Sequence, residues 1–189
     1  MNTPTKITLV RICLIPFFVA FFLIDAMPYG KFIALGIFAL ASLTDWLDGY
    51  LARKNNLVTD LGKFLDPIAD KLLVTSALIL VILDPLEGFQ VTMAVLAIVI
   101  IARELIVSGF RIVASSKNVV IAADKLGKIK TVLQMAALLL LIPYGDIKVL
   151  SSQAAEIVFY IGFGLLCAAT HMTVVSVVNY IVKNREVLK

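Results

Sequence analysis

Six runs of mostly apolar residues, each near the length that crosses a lipid bilayer, dominate this sequence. They cover roughly 8–25, 31–53, 63–83, 90–115, 126–144 and 154–182. A helix rises 1.5 Å per residue, so about 20 apolar residues span the hydrocarbon core. The breaks between runs carry turn chemistry: Pro28-Tyr29-Gly30, Asn55-Asn56, Asp84-Pro85 with Gly88, Ser115 to Asn118, and Pro143-Tyr144-Gly145-Asp146. The chain is 189 residues long, 61% hydrophobic and 16% charged. A soluble domain of that size cannot hide so much apolar surface, so lipid is its solvent. The expected fold class is an all-α integral membrane protein, a bundle of six transmembrane helices forming a single domain over 1–189. The first run does not read as a cleaved signal peptide, because Arg11 lies inside it and no small-residue cleavage site follows. Cys13 and Cys167 stand far apart in apolar runs and read as small core residues, not as a disulfide or thiolate site.

The net charge of +4 is spread between hydrophobic segments, so it does not argue for nucleic acid. Placing both termini on one side puts every lysine and arginine there except Lys31 and Lys148. Cytoplasmic loops are enriched in these residues, so both termini and the loops after the second and fourth runs are expected in the cytoplasm.

The acidic residues near that face are the chemical feature. Asp45, Asp48, Gly49 and Ala52 share one helical face, with Arg53 at its margin. After a short loop, Gly62, Asp66 and Asp70 again share a face, at i, i+4 and i+8. Two antiparallel neighbours would turn four carboxylates toward each other. Four ionised carboxylates repel and protonate unless cations hold them. An all-oxygen set favours hard divalent ions such as magnesium, calcium or manganese. Two such ions sharing carboxylates form the clamp used for displacement at phosphorus. Arg53 offers a planar fork for phosphate oxygens, and Thr59 a hydroxyl. The plain alternative is a set of helix ion pairs, such as Asp48 with Arg53, and small residues that serve packing alone. A cation transporter is the rival class, but its acids would be spread over several helices near the bilayer centre.

These residues resemble the signature of the CDP-alcohol phosphotransferase family, Asp-x2-Asp-Gly-x2-Ala-Arg-x8-Gly-x3-Asp-x3-Asp. The matching positions are Asp45, Asp48, Gly49, Ala52, Arg53, Gly62, Asp66 and Asp70, with every spacer in place. The N-terminal stretch is also similar to the family's start at Asn2, Pro4, Thr8 and Arg11, with Thr5 where asparagine is usual. The resemblance implies two divalent cations, Mg2+ or Mn2+, one held by Asp45, Asp48 and Asp66 and the other by Asp45, Asp66 and Asp70. It implies Asp70 as the base that takes the proton of the attacking alcohol. Thr8, Gly49, Arg53, Thr59 and Gly62 would serve the CDP group. It further implies a multi-pass protein of a bacterial cytoplasmic membrane, its active site facing the cytoplasm, and a homodimer.

Two more stretches, IARELIVSGFR at 101–111 and DKLGKIKT at 124–131, resemble the branch of the family that joins CDP-diacylglycerol to sn-glycerol 3-phosphate. On that reading Arg103, Arg111, Lys128 and Lys130, with Lys125 nearby, ring the acceptor phosphate, and Glu104 is a structural partner of Arg103. Branches that make phosphatidylserine, phosphatidylinositol phosphate or cardiolipin stay open. His171 reads as a core histidine and the Phe-rich first run as lipid-facing.

Overall fold

The computed structural model describes residues 3–24, 27–55, 60–84, 88–117 and 125–184, without the side chains of 3–5, 45–55, 60–64, 116 and 125. Among the described residues there are seven helices and no strand. They are α1 (Thr3–Leu23), α2 (Gly30–Asn55), α3 (Asp60–Leu83), α4 (Gln90–Ser116), α5 (Lys125–Leu141), α6 (Tyr144–Leu150) and α7 (Ser152–Lys183). Among the described residues, four stretches are long and apolar enough to cross a membrane: Lys6–Leu23, Gln90–Ser115, Leu126–Leu150 and Ser152–Lys183. Within α2 the described apolar stretch is Gly30–Thr44.

Burial shows why lipid is the solvent. Phe17, Leu43, Ile98, Leu105, Ile112, Val132 and Val178 are all more than half exposed. Inside lie Thr8, Arg11, Lys130, Gln134, Thr173 and Ser176, together with many alanines. Small residues let membrane helices approach, and polar ones face the protein. Hydroxyls find partners within their own helices: Ser42 donates to the Phe38 carbonyl, Thr170 to that of Leu166 and Thr173 to that of Ala169. That satisfies them without water.

The chain forms two compact units. The first comprises 1–84 and 142–156; the second comprises 85–141 and 157–189. In the first unit α1 packs on both α2 and α3, and α6 on α2. The buried stripe of α1 is Thr8, Arg11, Ile15, Phe18 and Phe22, spaced three or four apart. Phe18 meets Phe38 of α2 with ring centroids 5.7 Å apart. The Phe-rich run is therefore divided: Phe17 faces out, while Phe18 and Phe22 are core.

The α1–α2 turn is tight. Tyr29 takes a positive φ of 61°, and Gly30 opens α2 where a Cβ would stand 2.8 Å from the Phe21 carbonyl oxygen. Beside this turn, Lys31 pairs with the buried Asp84 that follows α3. The first turn of α2 also has a remote cap: Phe32 N–H donates to Asp146 Oδ2 at 2.9 Å. A carboxylate there meets both an orphan N–H and the positive helix end.

Three expectations are corrected. The residues from Tyr144 to Asp146 form the start of α6 rather than a turn, with Pro143 as its N-cap. Proline needs no N–H at a helix start, and Asp146 suits its first turn. His171 is exposed, since its neighbours two positions either side belong to the buried stripe of Ala169 and Thr173. Cys13 is also exposed; both cysteines are free.

Replacing Lys31 with Met leaves the Asp84 carboxylate buried without its ammonium. Breaking a buried pair this way typically costs about 3–5 kcal/mol. Lys31→Met should therefore lower the thermal unfolding midpoint in detergent clearly, and the double change with Asp84→Leu should recover much of the loss.

Candidate functional site

The acidic motif lies at the end of α2 and the start of α3. Both are helical through it, so Asp45 and Asp48 sit three apart on α2, and Asp66 and Asp70 sit four apart on α3. The side chains of Asp45, Asp48 and Arg53, the surroundings of Gly49 and Gly62, and all of Thr59 lie outside the described residues. So do Asn2 and the side chains of Pro4 and Thr5. Among the described residues no three metal-ligating side chains form a group.

Asp66 and Asp70 are described. Asp66 is partly buried and Asp70 exposed. Asp66 lies on the protein-facing stripe of α3 that continues through Ala69, Leu73 and Ala77. There Thr8 of α1, itself buried, donates its hydroxyl to Asp66 Oδ1 at 2.6 Å. The bond fixes the orientation of the carboxylate. Arg11, one turn further along the same stripe of α1, is fully buried. Pro67 removes the backbone N–H just after Asp66, inside α3. A carboxylate oxygen held by a hydroxyl is the kind of donor that suits a hard divalent cation.

The second unit carries a basic cavity of about 370 Å³, within the size range of small-molecule sites. Its walls include Arg103, Glu104 and Arg111 of α4, Gly127, Lys128 and Thr131 of α5, and Tyr180 of α7. The position is legible in the helix stripes. Met93, Ala97, Ile100, Val107, Phe110 and Ala114 form the inner face of α4, and Arg103 and Glu104 fall in its gap. On α5, Ala137, Leu138 and Leu141 give way to Gln134 and Lys130. On α7, Leu166 and Ala169 give way to Thr173, Ser176 and Tyr180.

Arg103 is held on two sides. Its Nη1 donates to Glu104 Oε1 at 3.0 Å, and its Nη2 to Ser176 Oγ at 2.9 Å. Its Nε is buried with no partner among the described residues. Gly127 of α5 lies against this fork, where a Cβ would sit 3.4 Å from Nη2, in ordinary contact. Arg111 lies over Tyr180, its guanidinium carbon 5.9 Å from the ring centroid. Tyr180 in turn packs edge-on against Phe110, centroids 5.5 Å apart.

Of the four basic residues expected around an acceptor phosphate, the structure brings Arg103, Arg111 and Lys128 to one cavity. Lys130 is not among its walls. It is 2% exposed, and its ammonium donates to Glu104 Oε1 at 2.5 Å. Residues 128 and 130 are about 200° apart around a helix, so they face opposite ways. Sequence reasoning did not select Ser176 or Tyr180, which carry no local motif. Glu104 and Gly127 were visible inside the two stretches quoted above.

The CDP-alcohol phosphatidyltransferase family model matches residues 1–180. The chain belongs to this family. It is a transferase of phospholipid biosynthesis. It is 41% identical over 200 aligned positions to the CDP-diacylglycerol–glycerol-3-phosphate 3-phosphatidyltransferase of Bacillus subtilis (strain 168), covering all of this chain and 97% of that protein. A protein of the same name from Shigella flexneri is 39% identical over 182 positions, 95% of this chain and 93% of that one. The cardiolipin synthase (CMP-forming) of Oryza sativa subsp. japonica is 38% identical over 197 positions, all of this chain and 59% of that longer protein. Members of the family generally depend on divalent cations. Identity alone therefore leaves the acceptor to the chemistry of the site.

Outer hydrogen bonds to metal ligands are commonly worth about 10–100-fold in affinity. Thr8→Val should raise the divalent-ion concentration needed for half-maximal activity by about that factor, with activity recovering at saturating metal. A metal titration of CMP release checks it.

Proposed function

We propose that this chain transfers the phosphatidyl group of CDP-diacylglycerol to sn-glycerol 3-phosphate, giving phosphatidylglycerophosphate and CMP. The observation that carries this reading is the basic cavity of Arg103, Arg111 and Lys128. It favours an acceptor that brings its own phosphate over one such as serine that does not. Guanidinium forks recognise phosphate oxygens in pairs, and a lysine adds a point charge.

The donor chemistry belongs to the first unit. Asp45, Asp48 and Asp66 would hold one divalent cation, and Asp45, Asp66 and Asp70 the second, Mg2+ or Mn2+. When bound, these ions supply Lewis acidity and neutralise charge on the pyrophosphate. Thr8 acts through Asp66, whose carboxylate it orients, rather than on the nucleotide directly. Gly49, Arg53, Thr59 and Gly62 serve the CDP group. Asp70 accepts the proton of the acceptor hydroxyl. The new bond forms between that oxygen and the phosphorus carrying diacylglycerol, and the bond from this phosphorus to the CMP oxygen breaks. The lipid tails stay in the bilayer.

The membrane arrangement belongs to the same reading. The helices α1 to α5 and α7 make six spans, with both termini cytoplasmic and the active site at the cytoplasmic face of a bacterial inner membrane. The close association of Lys31 with Asp84, and of Asp146 with the start of α2, supports a common far end for these groups. The working form is a homodimer.

The deciding experiment supplies purified protein in mixed micelles with CDP-diacylglycerol and one acceptor at a time, and follows CMP release. sn-Glycerol 3-phosphate should be used at least tenfold faster than serine, inositol phosphate or phosphatidylglycerol. Faster release with any of the other three overturns the acceptor assignment. General acid–base groups contribute about 10²–10⁴-fold. Asp70→Asn should lose turnover on that scale while retaining CDP-diacylglycerol binding; normal turnover would remove Asp70 as the base.

A further inference from the structure

A carboxylate in the wall of a phosphate-binding cavity is out of place. Glu104 lines the cavity beside Arg103 and Arg111, and its side chain is 29% exposed. An ionised acid there repels an incoming phosphate, and it competes with that phosphate for the Arg103 fork. Its partners show how the conflict is met. Oε1 of Glu104 accepts from Arg103 Nη1 at 3.0 Å and from Lys130 Nζ at 2.5 Å. The lysine reaches the carboxylate from inside the protein, with its side chain 3% exposed and absent from the cavity walls.

We infer that Lys130 is a positioning residue that sets affinity for the acceptor phosphate without touching it, by neutralising Glu104 so that Glu104 can aim the Arg103 guanidinium without repelling the ligand. The inference rests on the assignment of this cavity to the acceptor phosphate.

Charge and geometry both support it. Arg103, Glu104 and Lys130 together carry one positive charge, presented as a planar fork. Without the ammonium, the same cluster is neutral and its acid, partly exposed to the cavity, is uncompensated. Arg103 is then drawn more strongly to Glu104. Glu104 and Ser176 hold the two terminal nitrogens of Arg103 from α4 and α7, and Gly127 of α5 keeps its backbone close to Nη2. Lys130 sits three residues past that glycine, about one turn along α5, so a single stretch of α5 both flanks the fork and supplies the counter-charge for its guide. A direct ligand would project into the cavity as Lys128 does.

The test compares Lys130→Met, Glu104→Gln and the double variant in the full-length protein, with Arg103→Ala as the control for the site. KM for sn-glycerol 3-phosphate, KM for CDP-diacylglycerol and kcat are measured in mixed micelles. Lys130→Met should raise the acceptor KM about 10- to 100-fold, the scale of one uncompensated charge at a partly screened site. KM for CDP-diacylglycerol should stay within about twofold of the parent value, on the same scale. Removing both charges should return most of the lost acceptor affinity, because a neutral amide at position 104 needs no ammonium to balance it. A double variant as impaired as Lys130→Met makes Lys130 a direct ligand and overturns the inference. Should Lys130→Met fail to fold, the double variant decides alone: near-parental acceptor KM supports the inference, and a KM raised tenfold or more defeats it. An unchanged acceptor KM in Arg103→Ala would instead remove the cavity assignment itself.

Discussion

An ionised side chain on a helix surrounded by hydrocarbon must be met by protein, and this requirement organises both units. Water is not there to solvate the charge, and leaving it bare is costly. The first unit answers with Lys31 on Asp84 at one end of α2 and with Thr8 on Asp66 near the other end. The second answers with Arg103, Glu104, Lys130 and Ser176, drawn from three helices. The apolar residues have the easier task. They face outward to lipid, as Phe17, Ile98 and Ile112 do.

This inversion makes the polar contacts the specific ones. Apolar side chains gain little by meeting each other rather than lipid tails, so alanine-rich close packing and hydrogen bonds set the register between helices. The bond from Thr8 to Asp66 is one such register mark, across 58 residues of sequence. Moving α1 by one residue along α3 would turn Thr8 away and carry the buried Arg11 with it. The stripe that packs the helix therefore also orients a carboxylate of the acidic motif. Fold and candidate site are specified by the same residues.

Helix positions were legible because long apolar runs and turn residues mark them directly. The acidic motif was legible because its spacing is helical and local, and each residue can be placed on a face from the sequence. Long-range partners were not. Nothing local indicates that Lys130 reaches Glu104, or that Ser176 reaches Arg103 across 73 residues. One clue was available: Lys128 and Lys130 are two apart on a helix and cannot share a cavity wall. The short helix α6 was hidden because Pro143, Gly145 and Asp146 suit a turn as well as a helix start. The remote Phe32 N–H that Asp146 accepts helps decide between them.

The contrast between the two sets of charged residues explains their design. The acidic motif places like charges on two helices, and on the proposed reading cations reconcile them. The basic cavity instead mixes charges, and Glu104 in its wall is already compensated within the protein. A site built only from free lysines would attract anions as strongly but would hold them in many orientations. Fixing Arg103 between Glu104 and Ser176 exchanges some positive charge for direction. If the cavity holds the acceptor as proposed, an in-line displacement needs that direction, because a small misplacement of the attacking oxygen lowers the rate steeply. On the inference drawn above, a counter-charge kept behind the wall, on Lys130, lets the cavity keep both its direction and its attraction for phosphate.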